Sequence, residues 1–458
     1  MIRSALVTLV LLLALGAATA TGTPCTAVGD IRTVAGNGIE GHTGDGGPAV
    51  DAEIGHPRGI APAPGGGFVF TEPFNHMVRR VWPDGTIRTI AGTGTPGSGG
   101  DQGPATQAQL DLPHGVAYTP EGLLIADDVN HRIRLVAADG TITTVAGTGR
   151  FGFSGEGGPA AAAEISGPRG VAALPDGGYL IPDTDNERIR RVAPDGTITT
   201  VAGSGEKGFG GDDGPALAAK LQAPFAAVPT PDGGFLIADA DNNRIRRVGP
   251  TGTITTVAGN GGRGYGGDHG PATAATLNDP HAVVSLPDGG FLIADTFNNR
   301  IRRVSSTGTI TTVAGTGSAG FAGDNGPADA AELNLPKALA VLPDATGFLV
   351  GDSANDRVRL VTIDLRPPFT VKVTASALRS RTGRSVVLRL TTSLPATIRL
   401  QVRRAGKLVL GVKALRPAGT ASIAFGKRLQ PGRYALAVLA QSADGRTRSA
   451  RGSLTVSR

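Results

Sequence analysis

Apolar and polar residues alternate along most of the chain in runs of five or six residues, and each run ends in a turn. Residues 281–286, HAVVSL, form one run and PDGG closes it. FLIAD (291–295) follows, then an Asn-centred loop, RIRRV (300–304), the turn SSTG and TITTV (309–313). Period-two alternation, β-branched residues and tight Gly turns predict four antiparallel strands here. Long apolar helical runs are absent after residue 20, and glycine reaches 70 of 458 residues, so the fold class is all-β.

The same four-strand pattern recurs. A string ending in Ala-Gly appears six times, with its glycines at Gly36, Gly92, Gly147, Gly203, Gly259 and Gly315, at intervals of 55 or 56 residues. A repeat of this kind predicts the blades of a six-bladed β-propeller around a central channel. IRTV (31–34) precedes any complete blade, and the last set of strands ends at Val361 without a fourth. The N-terminal strand is therefore expected to complete the last blade, which closes the ring and removes two open sheet edges.

Each copy carries a tripeptide between its second and third strands: NHM (75–77), NHR (130–132), NER (186–188), NNR (242–244), NNR (298–300) and NDR (355–357). Residues 31 to about 362 resemble the NHL-repeat proteins in these tripeptides. The Gly-Asp-Gly-Gly-Pro-Ala loops resemble those of bacterial secreted NHL propellers and of teneurins. The resemblance implies the fold. It covers binding modules and a few enzymes, so it leaves the function open.

Residues 1–20 read as a signal peptide: Arg3, an apolar core over 5–15, and Ala18-Thr19-Ala20 at the cut. The apolar run is shorter than the ~20 residues of a spanning helix, and no second one follows, so no membrane span is expected. The chain reads as secreted and associated with the cell envelope. Residues 21–30 are a leader, and Cys25, the only cysteine, has no internal partner.

Charge divides the remainder. Residues 1–365 carry 25 basic and 37 acidic residues, net −12, whereas 366–458 carry 19 basic residues against Asp444, net +18. With 363–369 as linker, residues 370–458 show about seven alternating strands, the pattern of a small immunoglobulin-like β-sandwich without its usual disulfide or core Trp. Such a basic domain suits an anionic wall polymer as partner.

Strand direction puts the Asn loops, the long inter-blade loops and the start of each innermost strand on one face. That face is where a site has room. Asp45, Asp101, Glu156, Asp212, Asp268 and Asp324 recur in the long loops and read as structural caps of the helical turn that follows. Asp127 with Arg132, and its counterparts Asp183–Arg188, Asp239–Arg244, Asp295–Arg300 and Asp352–Arg357, read as ion pairs that fix the Asn loop. His269 occupies a variable loop tip.

One position varies while the scaffold around it repeats. It follows the Pro that opens each innermost strand, and it holds Arg58, His114, Arg169, Phe225, His281 and Lys337. These residues are the candidate ligand-binding set at the channel mouth. Five of the six are cationic if both histidines are protonated, a ring that would attract an anion. Propeller lyases of peptide amidation, similar in fold, place zinc-binding histidines at this position. Here only His114 and His281 match, one short of the three protein ligands a catalytic zinc takes, and no metal or other cofactor is expected. The resulting expectation is a secreted, non-catalytic binding protein whose long-loop face recognises a glycan, peptide or protein. The alternative is a metal-dependent hydrolase or lyase at the same mouth.

Overall fold

The computed structural model describes residues 19–20 and 29–367, and beyond them 371–380, 383–393, 396–404, 407–416, 418–424, 432–442, 444 and 446–456. Most of the expected signal peptide and leader, Cys25 included, lies outside these residues; Thr19–Ala20 pairs with Val371–Lys372. The chain divides into two compact units, one spanning Ala27–Arg366 and the other holding Pro367–Arg458.

The first unit is a β-propeller. Its described residues form six antiparallel sheets of four strands each, two of them extended by a short Gly-Pro pairing. The fifth sheet shows the fit between sequence pattern and structure. Its strands are Pro280–Ser285, Phe291–Asp295, Arg300–Val304 and Ile310–Ala314, each within one residue of the run the alternation marks. Each innermost strand packs against the next, and that of the last sheet packs against that of the first, so the ring closes. The closing strand Asp30–Ala35 pairs with Arg357–Thr362, which places the N-terminal strand as the outer strand of the last sheet.

Alternation along the strands fills the spaces between neighbouring sheets. The second strands are buried from end to end, as in Phe291–Asp295, because both of their faces meet other sheets. The outer strands bury only their ends: in the fifth sheet Ile310 packs in the layer shared with the fourth sheet and Ala314 in the layer shared with the sixth. The Ala-Gly glycine that follows sits at φ between 84° and 92° in all six copies. A Cβ there would strike the carbonyl of the Asn-loop residue, Asn299 in the case of Gly315, so this position admits only glycine without displacement.

Among the described residues beyond Arg366 the second unit contains seven strands in two antiparallel sheets, the first of which Thr19–Ala20 extends at its edge. Val371–Ser380, Gly383–Thr392 and Gly419–Ala424 form one; Lys407–Arg416, Ala396–Arg404, Gly432–Ser442 and Thr447–Val456 form the other in that order. Ala396, Ile398, Leu400, Val402, Leu436, Val438 and Ala440 are buried. They alternate along two paired strands, so one face of that sheet is its apolar side.

Candidate functional site

The frame around the mouth rests on six buried arginines. Arg79, Arg134, Arg190, Arg246, Arg302 and Arg359 lie mid-way along the third strands, and each is 0% exposed. Each bridges two acids. Arg302 Nη1 stands 3.1 Å from Asp295 at the end of the second strand, and its Nη2 stands 2.6 Å from Asp268 in the long loop. This overturns two expectations. The acid that ends the second strand pairs with the second arginine of RIR rather than the first. Both arginines share a face of the strand, but only the inner one reaches the buried carboxylate. The first arginine turns outward to backbone carbonyls, as Arg188 does to Asn186 and Ser204. The loop acid caps no helical turn. Pro fills the cap position without a side-chain bond, and the carboxylate of Asp268 instead accepts from the amide and hydroxyl of Thr312 on the outer strand. In four blades an aromatic ring, Phe153, Phe209, Tyr265 or Phe321, lies against the arginine pair, with the outer guanidinium 3.6–4.0 Å from its centroid.

The Asn loops set the mouth. The Asn of each tripeptide donates to the strand-end acid and to a long-loop carbonyl, as Asn298 does to Asp295 (2.9 Å) and Gly264 (2.7 Å). The next residue, His76, His131, Glu187, Asn243, Asn299 or Asp356, is left-handed, with φ of 49–55°. Its side chain accepts the backbone N–H of the residue before the next blade's opening Pro. Those donors are Leu112, Gly167, Ala223, Asp279, Leu335 and His56, at 2.7–3.3 Å. The donors are themselves left-handed, at φ 45–57°. The latch runs from blade to blade around the whole ring, and the residue it holds lies two before the mouth position. Sequence reasoning missed it. The visible signal is that the middle tripeptide residue always carries a hydrogen-bond acceptor.

Arg58, His114, Arg169, Phe225, His281 and Lys337 all line one cavity of about 510 Å³ at the axis of the ring. Below them it is walled by small and branched residues of the inner strands such as Gly59, Gly115, Ala226 and Ala282. Arg58 Nη1 donates to His114 Nε2 at 2.8 Å, which fixes the His114 proton on Nδ1, facing Asp128 Oδ2 at 3.6 Å. Asp128 Oδ2 also lies 3.8 Å from Arg169 Nε. The Arg169 guanidinium stands 4.7 Å from the Phe225 centroid, and Phe225 meets the His281 ring edge-on at 4.4 Å. His281 Nε2 bonds Asp279 Oδ2 at 3.1 Å. The ammonium of Lys337 makes no hydrogen bond or ion pair with any described residue. His56 does not line the cavity; it packs edge-on against Phe74, as its place before the Pro implied.

The electrostatics differ from the sequence expectation. Burial, aided by Arg58 and Arg169, holds the His114 imidazole well below its usual range. Burial lowers His281 as well, against the raising effect of Asp279. Both histidines are therefore neutral at pH 7, and the ring of five cations becomes three, Arg58, Arg169 and Lys337. Burial and the neighbouring arginines push Lys337 down to about 8. Two carboxylates that the six-residue set omitted, Asp128 and Asp279, complete the mouth. Burial raises Asp128 to about 6. Among the described residues no group of three or more His, Cys, Asp or Glu has the geometry to hold a metal ion. The only ring nitrogen of His114 with a free electron pair faces a guanidinium.

Comparison with known proteins agrees with this geometry. The chain is 30% identical to mouse Teneurin-1 over 236 residues, 46% of this chain and 8% of that protein. It is 31% identical to mouse Teneurin-4 over 232 residues. The chain thus spans under a tenth of the length of these relatives. Among solved structures, a Bacteroides thetaiotaomicron protein of unknown function superposes with a TM-score of 0.54 at 17% identity, over 73% of this chain and 75% of that one. An auxiliary nutrient binding protein of the same bacterium superposes with a TM-score of 0.53 at 17% identity, over 73% and 76%. No family model matches the chain.

The chain carries an NHL-type β-propeller. In this NHL propeller the tripeptides are frame: Asn ties the long loop to the strand end, and the middle residue latches the next blade. The position that follows the opening Pro varies from blade to blade, and all six of its side chains meet at the mouth. Among the described residues no helix is long and apolar enough to cross a membrane.

Proposed function

We propose that the chain is a secreted, non-catalytic binding protein whose propeller recognises an extracellular glycan, peptide or protein at the axial mouth. The observation that carries this reading is the convergence of six side chains of four kinds on one cavity, while the frame around them keeps its opening Pro, its tripeptide Asn and its buried arginine in every blade. A repeat that keeps its scaffold and varies one inward-facing position concentrates its chemistry there. The superposition on an auxiliary nutrient binding protein supports a binding role, and the teneurin likeness supports an extracellular one. The test is a ligand array probed with the full chain and with the Arg58→Gln/Lys337→Met double variant. The reading expects hits that the double variant loses while its melting curve is unchanged. Hits identical for both proteins would place binding elsewhere.

We read the second unit as an immunoglobulin-like sandwich that attaches the protein to an anionic wall polymer. Its strand order, first-second-fifth in one sheet and fourth-third-sixth-seventh in the other, supports a Greek-key sandwich. The alternative, a metal-dependent hydrolase or lyase, requires a stoichiometric ion. Metal analysis of purified protein, repeated on His114→Ala and His281→Ala, decides it.

A further inference from the structure

The mouth is not symmetric, and its asymmetry extends to the tips of the Asn loops directly above it. The tip residue is Phe74, Val129, Asp185, Asp241, Phe297 and Ala354 in chain order. Blades five, six, one and two thus present an apolar arc, and blades three and four present two exposed carboxylates. Phe74 and Phe297 are 48% and 49% exposed. The fold does not require them, since aspartate or alanine serves at the same place in other blades. Phe74 is tied to the mouth: the Arg58 guanidinium lies 5.3 Å from its ring centroid, and His56 braces it edge-on at 5.2 Å.

The two cations beneath the apolar arc are Lys337 and Arg58, neighbours on the ring. Lys337 makes no hydrogen bond or ion pair among the described residues and feels the nearby charge of Asp279, and Arg58 bonds the neutral His114 within reach of the Asp128 charge. The third cation, Arg169 of blade three, faces Asp128, which blade two contributes beside Val129. Resting on the binding reading above, we propose that the mouth recognises an acidic saccharide through a uronic acid residue. Its carboxylate sits between Lys337 and Arg58, its ring face lies on Phe74, and hydroxyls of the adjoining sugar donate to Asp185 and Asp241.

Three features favour a saccharide over an acidic peptide. A flat, half-exposed phenyl ring beside a guanidinium offers a pyranose both a C–H face contact and a carboxylate partner. The acidic arc repels a second anion but accepts hydroxyl donors, so it selects a ligand charged at one end only. Finally, the neutral imidazoles of His114 and His281 add no charge that would draw in a polyacidic peptide.

The test is calorimetric titration of the full chain at 0.15 M salt with three kinds of probe. These are short oligomers of galacturonate and of glucuronate with N-acetylglucosamine, the methyl-esterified neutral form of each, and a tri-aspartate peptide. The expected result is binding of at least one uronate oligomer and about tenfold weaker binding of its ester. Arg58→Gln and Lys337→Met should each lose about tenfold, the loss expected for one charge-assisted hydrogen bond. Phe74→Ala should also weaken binding, and Arg88→Ala, an exposed cation on an outer strand, should leave it unchanged. Uronate binding that survives both mouth substitutions in folded protein overturns the proposal, because it comes from basic surface elsewhere. Tri-aspartate bound as tightly, with the same dependence on Arg58, overturns the saccharide and leaves the binding reading standing. If no probe binds, the saccharide is again overturned, and the ligand array alone then decides the binding reading.

Discussion

At the scale of single residues, position within the repeat decides what a side chain does. Two arginines two residues apart on one strand serve different ends, and substitution separates them. Arg302→Met strands Asp295 and Asp268 without their buried partner and should cost about 3–5 kcal/mol of stability. Arg300→Ala removes a partly exposed group bonded to loop carbonyls and should cost about 1 kcal/mol. Urea denaturation of the two variants checks the order, and equal losses would refute the assignment of the buried pair. The mouth residues make a pH prediction. Lys337, lowered to about 8, loses its charge as pH rises through that value, so affinity for a carboxylate ligand should fall there. Asp128, raised to about 6, is neutralised as pH falls through that value, which leaves the mouth more cationic and should raise affinity. Between the two values affinity should be flat, because both histidines are already neutral. A step near 6.5 that disappears in His281→Ala would contradict this.

At the scale of elements, the closing strand and the inter-blade latch carry the ring. Ile31, fully buried on Asp30–Ala35, packs in the cluster formed with the fifth and sixth sheets. Ile31→Ala should cost about 2–5 kcal/mol. Deleting residues 21–36 should lower the melting temperature sharply, because it removes the outer strand from Arg357–Thr362 and the bonds from Thr33 to Asp324. Unchanged melting would refute strand closure. The latch has its own signature. Asn299 is left-handed and accepts from Leu335 at 2.9 Å. Both Asn299→Ala and Asn299→Gly lose the acceptor and the bond that Nδ2 donates to the Gly317 carbonyl, but only alanine also strains the left-handed backbone, so the glycine variant should be the more stable of the two.

At the scale of the whole molecule, the chain joins an acidic portion to one of net +18. Asp444, the one acid of the second portion, is paired with Arg446 at 2.6 Å. Screening of exposed charge sets in beyond about 8–10 Å at 0.1–0.15 M salt. Binding of the full chain to an anionic wall polymer should therefore weaken steeply as salt rises, and a chain truncated after Arg366 should lose it. Pull-down on teichoic acid at graded salt reads both. Equal retention of the two proteins would show that the basic surface is only solvated.

Local pattern determined most of the frame. Period-two alternation, Asp-Gly and Asn-Gly turns and the interval of 55 or 56 residues act within a few residues of one another. The strands, the repeat and the direction of each blade were therefore legible from HAVVSL, FLIAD, RIRRV and TITTV alone. The residue before His281 shows where legibility stops. Nothing in Asp279-Pro280 announces that its amide will be held by Asn243 of the preceding blade, because that bond spans 36 residues and exists only once the ring has curved. The protonation of the mouth was hidden for the same reason. A histidine's charge depends on the solvent it loses and the cations it meets, and Arg58, His114 and Arg169 lie 55 or 56 residues apart until the closed ring sets them side by side. Local sequence sets which side chain each blade offers; only closure of the ring decided that Arg58 binds a neutral His114, that Lys337 makes no hydrogen bond or ion pair among the described residues, and that the loop acids serve buried arginines rather than helix ends.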